Sequence, residues 1–93
     1  VTMRFILDGK SIGSREALHQ ALAAGLQLPD WYGGNLDALY DCLSEPGAEA
    51  ELIIRSGAAL EAALGGYAAA FRQVLADCAA ENPRFSAVWE DTL

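Results

Sequence analysis

Three carboxylates recur at a spacing of four residues in one short segment. Asp37, Asp41 and Glu45 stand at positions i, i+4 and i+8, which stacks their side chains on one side of a helix. Each pair of like charges at this spacing costs a helix about 0.2–0.5 kcal/mol, and no lysine or arginine stands nearby in the sequence. A local cost without a local gain indicates a surface used for binding. The plainer interpretation is a solvated helix face.

Two adjacent aromatic residues, Trp31 and Tyr32, precede this column. One of them can belong to the core, and the other is then left for the surface. An exposed aromatic beside acidic groups is typical of the residues that dominate protein–protein binding. Gly33 and Gly34 follow and leave room for a partner to approach the backbone. The alternative interpretation is a loop that only covers the core.

Two other kinds of chemistry are open to the carboxylates. Asp37 and Asp41 could act as a general acid and base, but the sequence has no nucleophile motif or phosphate-binding loop. The only histidine, His19, is expected to pack or to lie on a helix surface. The column could also bind a divalent cation, but a straight helix cannot wrap three carboxylates around an ion. We therefore expect no catalysis, no metal and no cofactor.

The column is predicted to lie on the second helix of the chain. This helix should begin at the cap residue Asn35 and end near Glu45, before Pro46-Gly47. Its apolar side should bury it against a sheet, and it comprises Leu36, Leu39, Tyr40 and Leu43.

The other segments alternate between strand and helix patterns. The predicted strands are Met3–Leu7, Glu51–Arg55 and Phe85–Glu90. The predicted helices are 15–24, capped by Ser14, then Ala58–Leu64 and Tyr67–Ala80. Strands separated by helices indicate an α/β fold with a small parallel sheet covered by helices.

Composition limits the class of protein. The 93 residues, of which 53% are hydrophobic and 20% charged, suit one folded domain over residues 1–93 rather than a disordered acidic tail. The net charge is −7, and no lysine or arginine lies between Glu16 and Ile54. Such a field repels nucleic acid and attracts cationic surfaces, although acidity can also serve solubility alone.

The cellular location of the protein is predicted from features that the sequence lacks. It shows no leader pattern and no apolar run of membrane-spanning length, so we expect no membrane partner. Cys42 and Cys78 lack metal-ligand spacing and are expected to be buried, reduced thiols. These features favour a cytoplasmic protein.

The segment from Leu28 to Leu43, LPDWYGGNLDALYDCL, closely resembles the signature of the barstar family of intracellular ribonuclease inhibitors. The preceding LHQAL, from Leu18 to Leu22, resembles the family too. The likeness is strong from Leu18 to Leu43 and weaker afterwards, with Phe71-Arg72 as the main later echo. It implies a three-stranded parallel sheet packed with about four helices. It also implies that the second helix and the loop before it enter a ribonuclease active site.

The resemblance gives individual residues expected roles. Asp41 occupies the position of the carboxylate that the family inserts most deeply into the ribonuclease active site. Asp37 occupies the position of a second essential carboxylate, and Trp31 that of an aromatic contact residue. The sequence departs from the family at Gly34, where barstar carries an acid, and at Glu45-Pro46, where barstar carries Gly-Trp. The expected partner-binding residues are Trp31, Gly33, Gly34, Asn35, Asp37, Ala38, Tyr40, Asp41, Ser44, Glu45, Gln73 and Asp77.

An inhibitor of this kind places carboxylates where the phosphates of RNA would bind. We expect Asp37 and Asp41 to accept charge-assisted hydrogen bonds from the basic residues of an extracellular-type bacterial ribonuclease. The protein should be a monomer when free. The alternative is a barstar-like antitoxin that neutralises a different basic toxin. An acidic helix indicates only that its partner has a basic cleft, and it does not identify that partner as a ribonuclease.

Overall fold

A computed structural model describes residues 3–45 and 49–90 as a three-stranded sheet with four α-helices. The strands are β1 (Met3–Asp8), β2 (Ala50–Arg55) and β3 (Phe85–Glu90). The helices are α1 (Arg15–Gly25), α2 (Leu36–Ser44), α3 (Gly57–Leu64) and α4 (Gly66–Glu81), and a short 3₁₀ turn, Gly9–Ser11, follows β1. Each predicted element is confirmed, with ends that differ by one residue at most. The predicted helix stop at Pro46-Gly47 lies outside the described residues.

All three strands run parallel, in the order β1-β2-β3. This arrangement confirms the predicted α/β fold. None of the helices in the described parts of the chain is long and apolar enough to cross a membrane.

One face of the sheet carries the hydrophobic core. Side chains alternate between the two faces of a strand, so every second residue points towards the helices. The largest side chains that are almost fully buried in this layer are Leu7, Leu18, Leu22, Leu39, Leu52, Ile54, Leu60, Phe71 and Leu75.

Helix α2 is held in one rotation by its cap and by its apolar side. Asn35 is extended, and its side-chain oxygen accepts a hydrogen bond of 2.8 Å from the amide of Ala38. Leu39 and Leu43 are buried in the core, whereas Leu36 and Tyr40 are half-buried against it. The predicted apolar side is therefore confirmed, and it fixes which side chains of α2 face the solvent.

Replacing the cap should weaken α2 measurably. We expect Asn35→Ala to lower the free energy of unfolding by about 1 kcal/mol, because the amide of Ala38 loses its partner. Urea denaturation followed by circular dichroism measures the change. Asn35→Ser keeps a capping oxygen and should stay close to the wild type, so equal losses in the two variants would contradict this role.

Candidate functional site

Asp37 and Asp41 are exposed on the outer side of α2, and Glu45, the extended residue that follows this helix, is exposed too. We call these three residues the acidic face. Among the described residues, no ion pair involves any of them. The ion pairs that the structure shows are Arg4–Glu51, Arg55–Glu90 and Arg72–Glu61. The acidic face therefore keeps its charge available for a partner.

Trp31 lies beside one end of the acidic face with 65% of its surface exposed, whereas Tyr32 is half-buried. Trp31 and Glu45 line the same surface depression, whose apolar walls include Leu28 and Pro29. The expectation that one of the two aromatics is left for the surface is thus confirmed. The depression joins an aromatic surface to a carboxylate.

The other end of the acidic face opens into a shallow groove. Gly34, Asn35 and Asp37 line it together with Arg15 and Tyr67. Gly34 has a φ of +70°, a conformation that glycine adopts without strain as the chain turns into the cap. The guanidinium of Arg15 lies 5.1 Å from the centre of the Tyr67 ring, and the described residues show no ion pair between Arg15 and Asp37. Arg15 and Tyr67 were not among the predicted site residues.

Tyr40 links α2 to α4. Its carbonyl oxygen accepts a hydrogen bond from the Cys78 thiol at 3.9 Å, and the pKa of its hydroxyl is raised by partial burial and by the nearby carboxylates of Glu81 and Asp77, with Ser44 opposing the shift. Asp77 accepts a hydrogen bond of 2.9 Å from Gln73, and both of these side chains are exposed. Of the two predicted residues on α4, Asp77 therefore lies near Tyr40 of α2, and Gln73 contacts Asp77. Ala38 and Ser44 are half-buried.

Helix α1 anchors the loop before α2 through His19, which is buried. One ring nitrogen of His19 is hydrogen-bonded to the hydroxyl of Tyr32, and the other lies 2.6 Å from the hydroxyl of Tyr67. A neutral imidazole can donate to one hydroxyl and accept from the other. The packing interpretation of His19 is confirmed, and the bond to Tyr32 explains why Trp31, the residue before it, is left outside.

Acid should loosen this anchor. Burial lowers the pKa of His19 below its usual value of 6.5, with Glu16 opposing the shift. The unfolded chain therefore takes up the proton first, and stability falls as the pH drops from 6.5 towards the lowered pKa of the folded state. We expect urea midpoints to show this loss in the wild type and to lack it in His19→Gln. Equal pH dependence in both proteins would contradict the role of His19.

The far end of α2 is held by Asn82, which is fully buried. Its side-chain nitrogen donates to the carbonyl oxygens of Leu43 and Glu45, at 3.0 and 2.9 Å, and its oxygen accepts from the amide of Arg84 at 3.0 Å. The sequence pattern predicted only that the helix Tyr67–Ala80 ends before this residue. This contact fixes the last turn of α2, where the acidic face ends.

Cys42 and Cys78 are free and buried, as expected. Burial raises the pKa of both thiols, and that of Cys78 reaches about 11. Both thiols are therefore protonated at neutral pH. They fill the core rather than supply a nucleophile.

Comparison with known proteins adds two findings. A family model described as Barstar (barnase inhibitor) matches residues 2–90 of this chain. A protein of Bacillus subtilis (strain 168), named "Putative ribonuclease inhibitor YrdF", is 49% identical over 41 residues. That match covers 44% of this chain and 45% of the relative's length, so it spans less than half of either protein.

Proposed function

Because this chain belongs to the barstar family, we propose that it inhibits a ribonuclease by placing its acidic face in the basic active site of that enzyme. The observation that carries the proposal is the position of Asp37 and Asp41. Both are exposed on a capped helix, and neither takes part in an ion pair among the described residues. The name of the Bacillus subtilis relative, with its match to part of this chain, supports the same class of partner.

The chemistry follows from what a ribonuclease needs. An enzyme that cleaves RNA gathers cationic side chains around a phosphate, and carboxylates at the same positions accept charge-assisted hydrogen bonds from them. Asp37 and Asp41 lie one helical turn apart, about 6 Å along the axis of α2. They would therefore occupy neighbouring phosphate positions.

The structure favours binding without reorganisation. Asn35 caps one end of α2 and Asn82 holds the other, so the helix that carries the carboxylates is already ordered in the free protein. A preorganised surface loses less conformational entropy on binding. Trp31 would pack on the rim of the enzyme and exclude water from the charged contacts.

The net charge of the protein should affect how fast it meets its partner. A net charge of −7 should speed encounter with a basic enzyme and make association fall with rising salt. The protein would act in the cytoplasm as a stoichiometric blocker without activity of its own, and so protect the cell that makes the ribonuclease.

Inhibition assays with purified barnase-type ribonucleases test the proposal. The wild type should stop RNA cleavage at about equimolar amounts, and the double variant Asp37→Ala/Asp41→Ala should not. A capture experiment with the same two proteins identifies the partner. Recovery by the wild type alone of a basic protein without ribonuclease activity would favour the alternative toxin. Equal behaviour of the two proteins would show that the acidic face is not the binding surface.

A further inference from the structure

The face of the sheet that points away from the core carries an apolar row across all three strands. The register pairs Ile6 with Ile53 and Ile53 with Val88. Ile6 and Val88 are 42% and 44% exposed, and apart from Trp31 they are the only exposed large apolar side chains among the described residues. Ile53 is 5% exposed although it lies outside the core cluster. The middle of this face is therefore a small apolar patch. We give the name open face to the whole of this side of the sheet, which includes the patch and the polar rows on either side of it.

Two polar rows flank the apolar one. One row consists of Arg4, Glu51 and Ser86, and the other of Asp8, Arg55 and Glu90. Within the rows Arg4 pairs with Glu51 at 3.0 Å and Arg55 pairs with Glu90 at 3.3 Å. The charges are therefore +, − and neutral along the first row and −, + and − along the second, on the same three strands.

We propose that the open face binds a second copy of this chain, with the twofold axis along the apolar row. Rotation about this axis keeps each strand opposite itself and exchanges the two polar rows. Arg4 of one copy then lies over Asp8 of the other, and Glu51 lies over Arg55. The apolar rows meet in the centre, where Ile6 and Val88 each face their own copy, and Ile53, only 5% exposed, adds little contact.

The charges select this orientation. A twofold axis along the strands would keep each polar row over itself, so that Glu51 would face Glu51 and Arg55 would face Arg55. Like charges placed opposite each other in an interface are unfavourable. Packed sheets commonly align their strands to within about 30°, which the axis along the apolar row allows.

The size of the open face makes the dimer weak. Three strands spaced about 4.8 Å apart and about 20 Å long offer roughly 300 Å². Stable interfaces bury about 800 Å² on each partner, so we expect the dimer to form only at high protein concentration. A monomer, as the sequence predicted, would remain the main form in dilute solution. Since α2 packs on the opposite side of the sheet, the acidic face stays free in both forms.

Sedimentation equilibrium over a range of concentrations, up to the millimolar range, tests association and its geometry together. The weight-average mass of the wild type should rise towards that of a dimer. R55E places a carboxylate opposite Glu51 of the other copy and should weaken association by about tenfold or more. The double variant E51R/R55E leaves only cationic charges in the row that holds the neutral Ser86 and only carboxylates in the other row, so its dimer should be at least as strong as that of the wild type. A mass that stays monomeric at every concentration, or a double variant no better than R55E, would overturn the proposal.

Cross-linking gives a second readout that does not depend on charge. Val88 lies on the axis, so Val88→Cys faces its own copy across a gap of about 10 Å between sheets. Ser86→Cys lies on the same strand and face, but its copy is displaced by a further 13 Å or so along the strands. A short bis-maleimide should join Val88→Cys chains much faster than Ser86→Cys chains. Equal rates would overturn the proposed axis. Ribonuclease inhibition by E51R/R55E separates the two proposals, because it should match the wild type whether or not the chain dimerises.

Discussion

Asp41→Ala is expected to weaken inhibition of the target ribonuclease by about 2–5 kcal/mol, the general cost of truncating one partner of a buried, hydrogen-bonded charge pair in an interface. Asp41 lies at the middle of the acidic face, exposed and without an ion-pair partner among the described residues. In the proposed complex its removal leaves cations of the enzyme buried and unpaired. The inhibition constant, from RNA cleavage titrated with each variant, measures the effect.

Two control variants test whether inhibition depends on a negative charge at position 41 or only on the net charge of the protein. Asp41→Asn keeps the size of the side chain and should lose most of the inhibition, since an amide cannot neutralise a buried cation. Glu61→Ala changes the net charge by the same amount on α3, where Glu61 is exposed and pairs only weakly with Arg72 at 3.7 Å. It should inhibit like the wild type. If Asp41→Ala had the inhibition constant of the wild type, the acidic face would not be the surface that blocks the ribonuclease.

The direction of the acidic face could be predicted from the sequence because it depends on local rules. Asn35 sets the start of α2, and the burial of Leu39 and Leu43 fixes the rotation of the helix. Once that rotation is fixed, Asp37 and Asp41 must point outward. The strands followed in the same way from short apolar runs bounded by turn signals.

Other features of the site depend on contacts between segments that are distant in the sequence. The spacing of apolar residues within one segment cannot predict such contacts. The residue pattern could not decide which of Trp31 and Tyr32 would be buried, and only the family resemblance indicated Trp31 as the contact. The choice is made by His19, which binds the Tyr32 hydroxyl and also reaches Tyr67, 48 positions further along the chain. Arg15 likewise joins the groove beside Asp37 only through the packing of α1 near the start of α2.

The open face shows the same limit at the level of the sheet. The alternation within β1, β2 and β3 could be predicted, but the order of the strands and their register could not. Only the register places Ile53 between Ile6 and Val88, and only then do the polar rows line up. A shift by one residue would turn each of these side chains to the other face.

Asn82 is a site residue that the sequence indicated only as a helix end, and its replacement should have the largest effect on stability. Asn82→Ala removes two hydrogen bonds to the carbonyls of Leu43 and Glu45 at a fully buried position. Each buried carbonyl left without a partner costs about 1–3 kcal/mol, so we expect the free energy of unfolding to fall by about 3 kcal/mol. Urea denaturation at pH 7 measures the loss.

Asn82→Asp is the sharper variant, because it keeps the shape of the side chain and the acceptor for the amide of Arg84. It replaces the donor by a carboxylate facing two carbonyl oxygens, so at pH 7 it should destabilise the protein more than Asn82→Ala. Burial raises the pKa of such a carboxyl in the folded state, so the penalty should shrink as the pH falls and the group becomes protonated. Measured against Asn82→Ala at each pH, the relative stability of Asn82→Asp should therefore rise in acid. A constant difference between the two variants would show that the contacts of Asn82 with the end of α2 do not depend on its donor, and that α2 is held there by packing alone.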